Sequence, residues 1–272
     1  ANTFPSPRQE AWQRVEFYAF VHFGINTFTD REWGEGTEDP ALFNPAELDC
    51  RQWAAAAKAA GMRGLVLTAK HHDGFCLWPS AYTGHSVKNS PWRDGQGDVV
   101  AEAAEACRAY GLKFGLYLSP WDRHEPAYGQ GKAYDDYYCA QLEELTKNYG
   151  ELFCLWFDGA CGEGPNGKRQ SYDFNRYFEI IRKNQPEAVI SICGPDVRWC
   201  GNEAGSCRVS EWSVIPAGPY QYDAEDLGSR GVIEGRTEFV WSPAEVDTSI
   251  RPGWFYHAAE DDRVRGLPEL LD

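Results

Sequence analysis

Short apolar segments alternate with longer segments that are apolar on one face, and this alternation constrains the fold of the 272-residue chain more than any other feature. The short segments predict five strands, at residues 17–23, 64–69, 112–118, 152–157 and 188–193. The longer segments predict four intervening helices, at residues 51–60, 100–110, 134–149 and 173–184. Parallel strands joined by crossover helices produce this order, so the sequence predicts an α/β fold.

The carboxyl-terminal third continues the pattern less regularly. Residues 208–214 and 237–241 predict two further strands with irregular connections, and an eighth strand is not evident. Strand ends about 35 to 50 residues apart, in a chain near the usual size of about 250 residues, favour a (β/α)8-like, TIM-type barrel. No linker divides the chain, so we predict one domain over residues 1–272, irregular or incomplete in its last third.

Charge and hydropathy argue against some classes of partner. The chain has 41 Asp and Glu against 26 Lys and Arg, a net charge of −15, whereas a nucleic-acid binder needs a surplus of cations. No run approaches the roughly 18 apolar residues of a membrane span, and the N-terminus shows no signal-peptide pattern. We therefore expect neither nucleic acid nor membrane as a partner, while localisation and oligomeric state stay open.

The nine cysteines form no Cys-x-x-Cys pair, and an odd number cannot close completely into intrachain disulfides. Several, such as Cys107 and Cys154, lie in apolar periodic segments, where cysteine commonly acts as a small hydrophobic residue. This usage favours reduced thiols and a reducing or anoxic setting.

Polar side chains that could act in chemistry come directly after four predicted strands. His22 ends the first, residues 70–75 (KHHDGF) follow the second, Tyr117 ends the third and Asp158 follows the fourth. Barrel enzymes build their active sites at the carboxyl ends of the strands. The positions therefore predict a shared site at one rim of the barrel.

Asp158 ends an almost wholly apolar strand and is followed by Gly159, which allows a ligand to approach the backbone closely. Asp-Gly is also a common turn, so a turn and a catalytic carboxylate are both open interpretations. Trp156, two residues earlier, lies on the same side of the strand. A carboxylate and an indole would then line one pocket.

The histidines admit three interpretations: metal ligands, hydrogen-bond partners of a polar ligand, or structural groups. His71 and His72 are adjacent, and His22 and His85 lie elsewhere. No His-x-His follows the first strand and no His-Glu-x-x-His occurs anywhere in the sequence. We predict no metal and no cofactor, and a metal-dependent barrel hydrolase stays an alternative.

Tryptophan is frequent in the predicted loops. Core burial is the simpler explanation for most of these rings, but indoles also stack on the C–H faces of sugars. The phosphate-binding patterns Gly-x-x-x-x-Gly-Lys-Ser/Thr and Gly-x-Gly-x-x-Gly do not occur. A carbohydrate site therefore fits better than a phosphate site.

Cleavage of a sugar needs a second carboxyl group. Glu203 is the candidate, because it lies in a long glycine-rich loop just after the fifth strand. A solvated loop glutamate is the alternative interpretation, and the competing carboxylates are Asp196, Glu211 and Glu245.

Taken together, these motifs resemble the α-L-fucosidases of glycoside hydrolase family 29. The resemblance is carried by His22-Phe23-Gly24, Glu32-Trp33-Gly34, residues 70–75, residues 115–119, residues 155–159 and Trp241. The loop at residues 194–205 further resembles the branch of the family that prefers α-1,3- and α-1,4-linked fucose. Members usually continue into a closing strand and a small β-sandwich, which this sequence does not show.

The resemblance implies a retaining exo-α-L-fucosidase that acts on fucosylated oligosaccharides or glycans. Asp158 matches the nucleophile and Glu203 the general acid/base, and double displacement requires their carboxyl groups to lie about 5 to 5.5 Å apart. The residues that match fucose contacts are His22, Glu32, Trp33, His71, His72, Tyr117, Trp156 and Trp241. A fucose-binding module without catalysis is the second alternative.

Overall fold

The structure is a computed structural model that describes residues 3–217 and 238–271. Its centre is a five-stranded parallel sheet. Its strands follow chain order: β1 Tyr18–Val21, β2 Gly64–Lys70, β3 Lys113–Leu118, β4 Cys154–Phe157 and β5 Val189–Ile192. The α-helices are α1 Pro7–Gln13, α2 Ile25–Thr29, α3 Cys50–Ala59, α4 Val99–Tyr110, α5 Lys132–Asn148, α6 Phe174–Asn184 and α7 Leu267–Leu271. The five predicted strands and four predicted helices are confirmed, with ends that differ by one or two residues.

Helix caps explain where the longer helices begin. The side chains of Asp49, Asp98 and Asp173 accept hydrogen bonds from backbone N–H groups in the first turns of α3, α4 and α6. These bonds satisfy donors that have no partner within the helix. The helices pack in pairs, α3 against α4 and α5 against α6, and cover the sheet.

The last third forms two short sheets. β6 Arg198–Trp199 pairs in parallel with β9 Ala244–Glu245, and β7 Val214–Pro216 pairs antiparallel with β8 Phe239–Trp241. The prediction of a strand at 237–241 is confirmed from Phe239 onwards, and Thr237 lies outside the described residues.

The prediction of a strand at 208–214 is wrong except for its last residue. A turn occupies this segment, and the guanidinium of Arg208 lies 3.1 Å from the carboxylate of Glu211. A strand would hold residues three apart at a distance of about 10 Å, so the ion pair favours the turn.

Side chains, rather than a continuous sheet, connect the last third to the start of the barrel in the part of the chain that the structure describes. Glu245 of β9 accepts a hydrogen bond from the hydroxyl of Tyr18 in β1. The amide of Gln9 in α1 donates to the main-chain carbonyl of Trp241, 2.8 Å away. The fold is therefore α/β with a barrel-like parallel sheet that is irregular in its carboxyl-terminal third.

A buried ion pair ties β2 to the loop after β3. The ammonium group of Lys70 lies 2.9 Å from the carboxylate of Asp122, both side chains are fully buried, and Gln141 accepts a second bond from Lys70. Burial alone would raise the pKa of Asp122, but Lys70 and the backbone N–H groups of Glu125 and His124 hold it below its usual value. The carboxylate is therefore charged and depends on Lys70.

We expect Lys70→Met to lower the free energy of unfolding by about 3–5 kcal/mol, because it leaves Asp122 buried without its counter-ion. The matched control is Lys113→Met, which removes an exposed lysine 3.3 Å from Glu151 and should cost at most about 1 kcal/mol. Urea unfolding of both variants measures the difference. Equal losses would contradict the account of the buried pair.

Candidate active site

Asp158 stands at the carboxyl end of β4, and two bonds orient its carboxylate. Oδ2 accepts from the hydroxyl of Tyr117 at 2.9 Å, and Oδ1 accepts from the backbone N–H of Ala160 at 2.8 Å. About a quarter (26%) of the side chain is exposed. The carboxylate is thus fixed in direction while part of it stays open to a ligand.

The proton position on His72 follows from its neighbours. The ring Nδ1 lies 2.7 Å from Ser119 Oγ, and that hydroxyl donates to the main-chain carbonyl of Trp121 at 2.6 Å. Because the hydroxyl proton is used, Ser119 Oγ accepts from His72 Nδ1–H. Nε2, which lies 3.8 Å from Asp158 Oδ2, is then a bare acceptor in the neutral ring.

Burial keeps three imidazoles of the site neutral. It lowers the pKa of His72 despite the nearby charge of Asp158, lowers the pKa of His71 well below its usual value, and lowers that of His22 to about 3. Nδ1 of His71 is buried and has no hydrogen-bond partner. A neutral imidazole can donate from one nitrogen and accept at the other, which suits these rings to bind a ligand hydroxyl.

We expect the ring of His22, with a pKa of about 3, to take up no proton between pH 8 and about 5, and the rings of His71 and His72 to take up a proton only below the ordinary value of about 6.5, because burial lowers each pKa. In a ¹⁵N-edited spectrum of the ring nitrogens at about pH 7 to 8, His72 should show the Nδ1–H tautomer. A titration midpoint at or above about pH 6.5 for any of the three rings would contradict the burial argument.

The aromatic floor of the site lies beneath Asp158. The indole of Trp156 stacks on the ring of Tyr117, with centroids 5.4 Å apart and an interplanar angle of 27°. Phe20 meets both rings edge-on. The ring of His71 also lies nearly parallel to that of Tyr117, with centroids 5.6 Å apart.

Glu32 and Trp33 reach the site from the loop after α2. The carboxylate of Glu32 accepts from the backbone N–H of Phe255 at 3.1 Å and lies 3.3 Å from His257 Nε2. The half-exposed indole of Trp33 stands perpendicular to the ring of His72 at 5.4 Å. This loop therefore forms one wall, and the segment around residue 255 holds it.

Glu203 lies at the rim and is linked to the cluster through a tryptophan. Its Oε2 accepts from Trp254 Nε1 at 3.2 Å, and the Trp254 ring lies 5.1 Å from that of His22. Glu203 and Trp254 line a cavity of about 270 Å³ together with Arg251, among other residues. The structure thus brings Glu203 to the same end of the barrel as the histidines.

The competing carboxylates have structural partners. Asp196 lies in an ion pair with Arg182, and Glu211 bonds to Arg198. Glu245 is buried and faces two hydrogen-bond donors. Glu203, by contrast, is exposed and bonds to an indole, which leaves it available to a ligand.

The structure does not bring Trp241 to this cluster. It lies in β8, where its carbonyl accepts from Gln9, and it lines a second cavity of about 410 Å³ with Phe4 and Pro195, among other residues. Gln9 belongs to the helix that leads into β1, so this region lies near the amino ends of the strands. Trp254 is the ring that stands beside His22 instead.

Trp254 and His257 are the functional-site neighbours that sequence reasoning missed. Both lie in an irregular segment more than ten residues after the last predicted strand, so position gave no signal. The Pro252-Gly253 pair could have given one, because it marks a turn; a Cβ atom on Gly253 would lie 2.0 Å from Glu32 Oε1, so the Glu32 side chain would have to shift to admit it. Among residues 3–217 and 238–271, no group of three or more His, Cys, Asp or Glu is placed to hold a metal ion.

A barrel-like parallel α/β sheet with an oriented carboxylate, buried imidazoles and stacked rings at its carboxyl rim matches what a barrel glycoside hydrolase requires. The family model "Alpha-L-fucosidase" matches residues 5–211, and the chain belongs to this family.

Curated relatives and solved structures support the same family. Alpha-L-fucosidase 1 of Arabidopsis thaliana is 48% identical over 269 residues, which cover 98% of this chain and 52% of that protein. A putative alpha-L-fucosidase from Bacteroides ovatus superposes with a TM-score of 0.92 at 56% identity, over 98% of this chain and 48% of that one. A GH29 fucosidase of Ruminococcus gnavus, solved in complex with fucose, superposes with a TM-score of 0.85 at 33% identity, over 98% of this chain and 59% of that one.

The chain spans about half the length of the curated relatives it matches. In the described ranges, no helix has the length and apolar character needed to cross a membrane.

Proposed function

We propose that the chain forms the catalytic barrel of a retaining exo-α-L-fucosidase that removes terminal L-fucose from fucosylated oligosaccharides or glycans. The observation that carries this proposal is the carboxylate of Asp158, oriented by Tyr117 and Ala160 and left partly open beside neutral imidazoles. Membership of the family and the fucose complex of the Ruminococcus gnavus relative support the choice of sugar.

Double displacement assigns different tasks to the two carboxyl groups. Asp158 attacks the anomeric carbon as a carboxylate, and Glu203 donates its proton to the leaving oxygen. A fucosyl ester of Asp158 results, and the aglycone leaves as an alcohol. Glu203 then takes a proton from water, which attacks the same carbon and releases Asp158 and α-L-fucose.

The other residues bind the sugar in this proposal. His72, through its bare Nε2, and the neighbouring His71 bind fucose hydroxyls, with His22 beside them. Buried polar groups of this kind reject sugars that lack the matching hydroxyl, because the groups would stay unpaired. Glu32 binds a further hydroxyl. The rings of Trp33, Trp156 and Tyr117 surround the apolar faces of the sugar. Trp254 also lies beside the sugar in this proposal, whereas Trp241 does not.

We further infer a preference for α-1,3- and α-1,4-linked fucose, which rests on the likeness of the glycine-rich loop around Glu203 to that branch of the family. A proton NMR time course of the 272-residue chain tests it with a Lewis-type trisaccharide and with 2'-fucosyllactose. We expect fucose from the trisaccharide alone, released first as the α-anomer. Release from 2'-fucosyllactose contradicts the linkage, β-fucose contradicts retention, and no release from either by a folded sample contradicts catalysis.

A further inference from the structure

Glu245 is a buried carboxylate that faces two donors from the barrel wall. Only 6% of the residue is exposed. Its Oε1 accepts from Trp156 Nε1 at 2.8 Å, and its Oε2 accepts from the hydroxyl of Tyr18. The donors belong to β4 and β1, so one side chain from β9 joins the two strands from inside the barrel.

A continuous series of contacts leads from this carboxylate to Asp158. Trp156, held by Glu245 at its Nε1 edge, lies against Tyr117 through its face, and the Tyr117 hydroxyl donates to Asp158 Oδ2 at 2.9 Å. Phe20 closes the remaining side, edge-on to Trp156 at 5.3 Å and to Tyr117 at 5.9 Å. The indole of Trp156 therefore lies between the carboxylate of Glu245 and the ring whose hydroxyl bonds to Asp158.

The chemistry of the contact explains why a carboxylate stands there. Burying a charge is costly, and desolvation raises the pKa of Glu245 although both hydrogen bonds oppose the rise. A carboxylate nevertheless accepts at both oxygens, whereas the amide of glutamine accepts at one atom and donates at the other. Trp156 Nε1–H can only donate, and the Tyr18 oxygen already accepts from Trp12 Nε1 at 3.3 Å, so a carboxylate gives an acceptor to both donors.

We propose that Glu245 is a positioning residue of the reaction, which acts on Asp158 through Trp156 and Tyr117. It touches neither the sugar nor the reacting atoms in this account. The inference rests on the proposed fucosidase function, because it assigns a role within that same site.

A double-mutant cycle tests this path. Glu245→Leu removes the acceptor of Trp156 Nε1–H, and we expect kcat on an aryl α-L-fucoside to fall about 10- to 100-fold with little change in KM, because the nucleophile is misplaced while the sugar contacts remain. Glu245→Gln should restore most of that loss, because its amide oxygen can still accept from Trp156 while its NH2 group faces the Tyr18 hydroxyl. Tyr117→Phe removes the hydroxyl through which Glu245 acts. In the double variant, the added loss from Glu245→Leu should shrink to within about threefold.

Tyr18→Phe is the matched control, because it removes the other bond of Glu245 and leaves the bond to Trp156 in place. It should lower the thermal midpoint as Glu245→Leu does, since each leaves a buried polar atom without its partner, and keep kcat within about threefold of wild type. If Glu245→Leu does not yield a folded protein, Glu245→Met, which also lacks the carboxylate, takes its place in the cycle.

The outcomes separate the two proposals. A wild-type chain that releases no fucose overturns the proposed function and this inference with it. An active wild type in which the Glu245→Leu and Tyr117→Phe losses multiply, or in which Tyr18→Phe loses as much kcat as Glu245→Leu, overturns the inference alone, because Glu245 then only supports the fold.

Discussion

Asp158→Asn is expected to lower kcat/KM on an aryl α-L-fucoside by about 10⁴-fold or more, since an amide cannot form the ester intermediate. The substitution is nearly isosteric, so Ala160 keeps its acceptor and Tyr117 keeps a polar neighbour. Fucose should therefore still bind. Initial rates and calorimetric titration with fucose measure the two effects separately.

The matched control is Asp136→Asn, which changes an aspartate of α5 that pairs with Lys132 and Arg176 on the surface. Its kcat/KM should stay within about twofold of wild type, because surface ion pairs contribute little. A loss of less than about tenfold in Asp158→Asn would show that another group attacks the sugar.

Glu203→Ala is expected to have the second largest effect, and its size depends on the leaving group. Proton donation contributes about 10²- to 10⁴-fold, so cleavage of a trisaccharide should fall by that factor. Nitrophenyl α-L-fucoside, an aryl fucoside, releases nitrophenolate, which leaves without a proton. The rate of the first step on this substrate should therefore be nearly that of wild type. The slow second step should then appear as a burst of nitrophenol.

Azide provides the sharper test, because it attacks the ester without a base. We expect added azide to restore turnover of the Glu203→Ala variant on the aryl fucoside and to yield α-L-fucosyl azide. Glu187→Ala is the control, since this exposed glutamate lies before β5, at the opposite end of the barrel. Equal losses on the two substrates, with no response to azide, would remove Glu203 from the acid/base role.

The regular part of the fold could be predicted because its strands are buried. Strands β2 and β5 have every residue buried, which produces the continuous apolar runs seen in the sequence. The last third could not be predicted in the same way. Strands of two or three residues, such as β6 and β7, are too short to show a period, and their pairing depends on contacts distant in sequence.

Part of the site could be predicted for a similar reason. His72, Tyr117 and Asp158 follow or end buried strands, so strand order alone places them at one rim. Trp254 reaches the rim from an irregular segment, and only tertiary contacts with His22 and Glu203 reveal it. Trp241 lies away from this cluster, because the placement of β8 depends on its partner strand and on Gln9, which the sequence pattern does not specify.

The most direct test of the central claim is to trap the intermediate with 2-deoxy-2-fluoro-α-L-fucosyl fluoride. Fluorine at C2 disfavours the cation-like transition states of both steps, while fluoride as leaving group keeps the first step accessible, so the ester accumulates. Peptide mapping by mass spectrometry should find the fluorofucosyl group on Asp158, and none in Asp158→Asn. A label on another residue, or β-fucose formed from natural substrate without any adduct, would contradict the account.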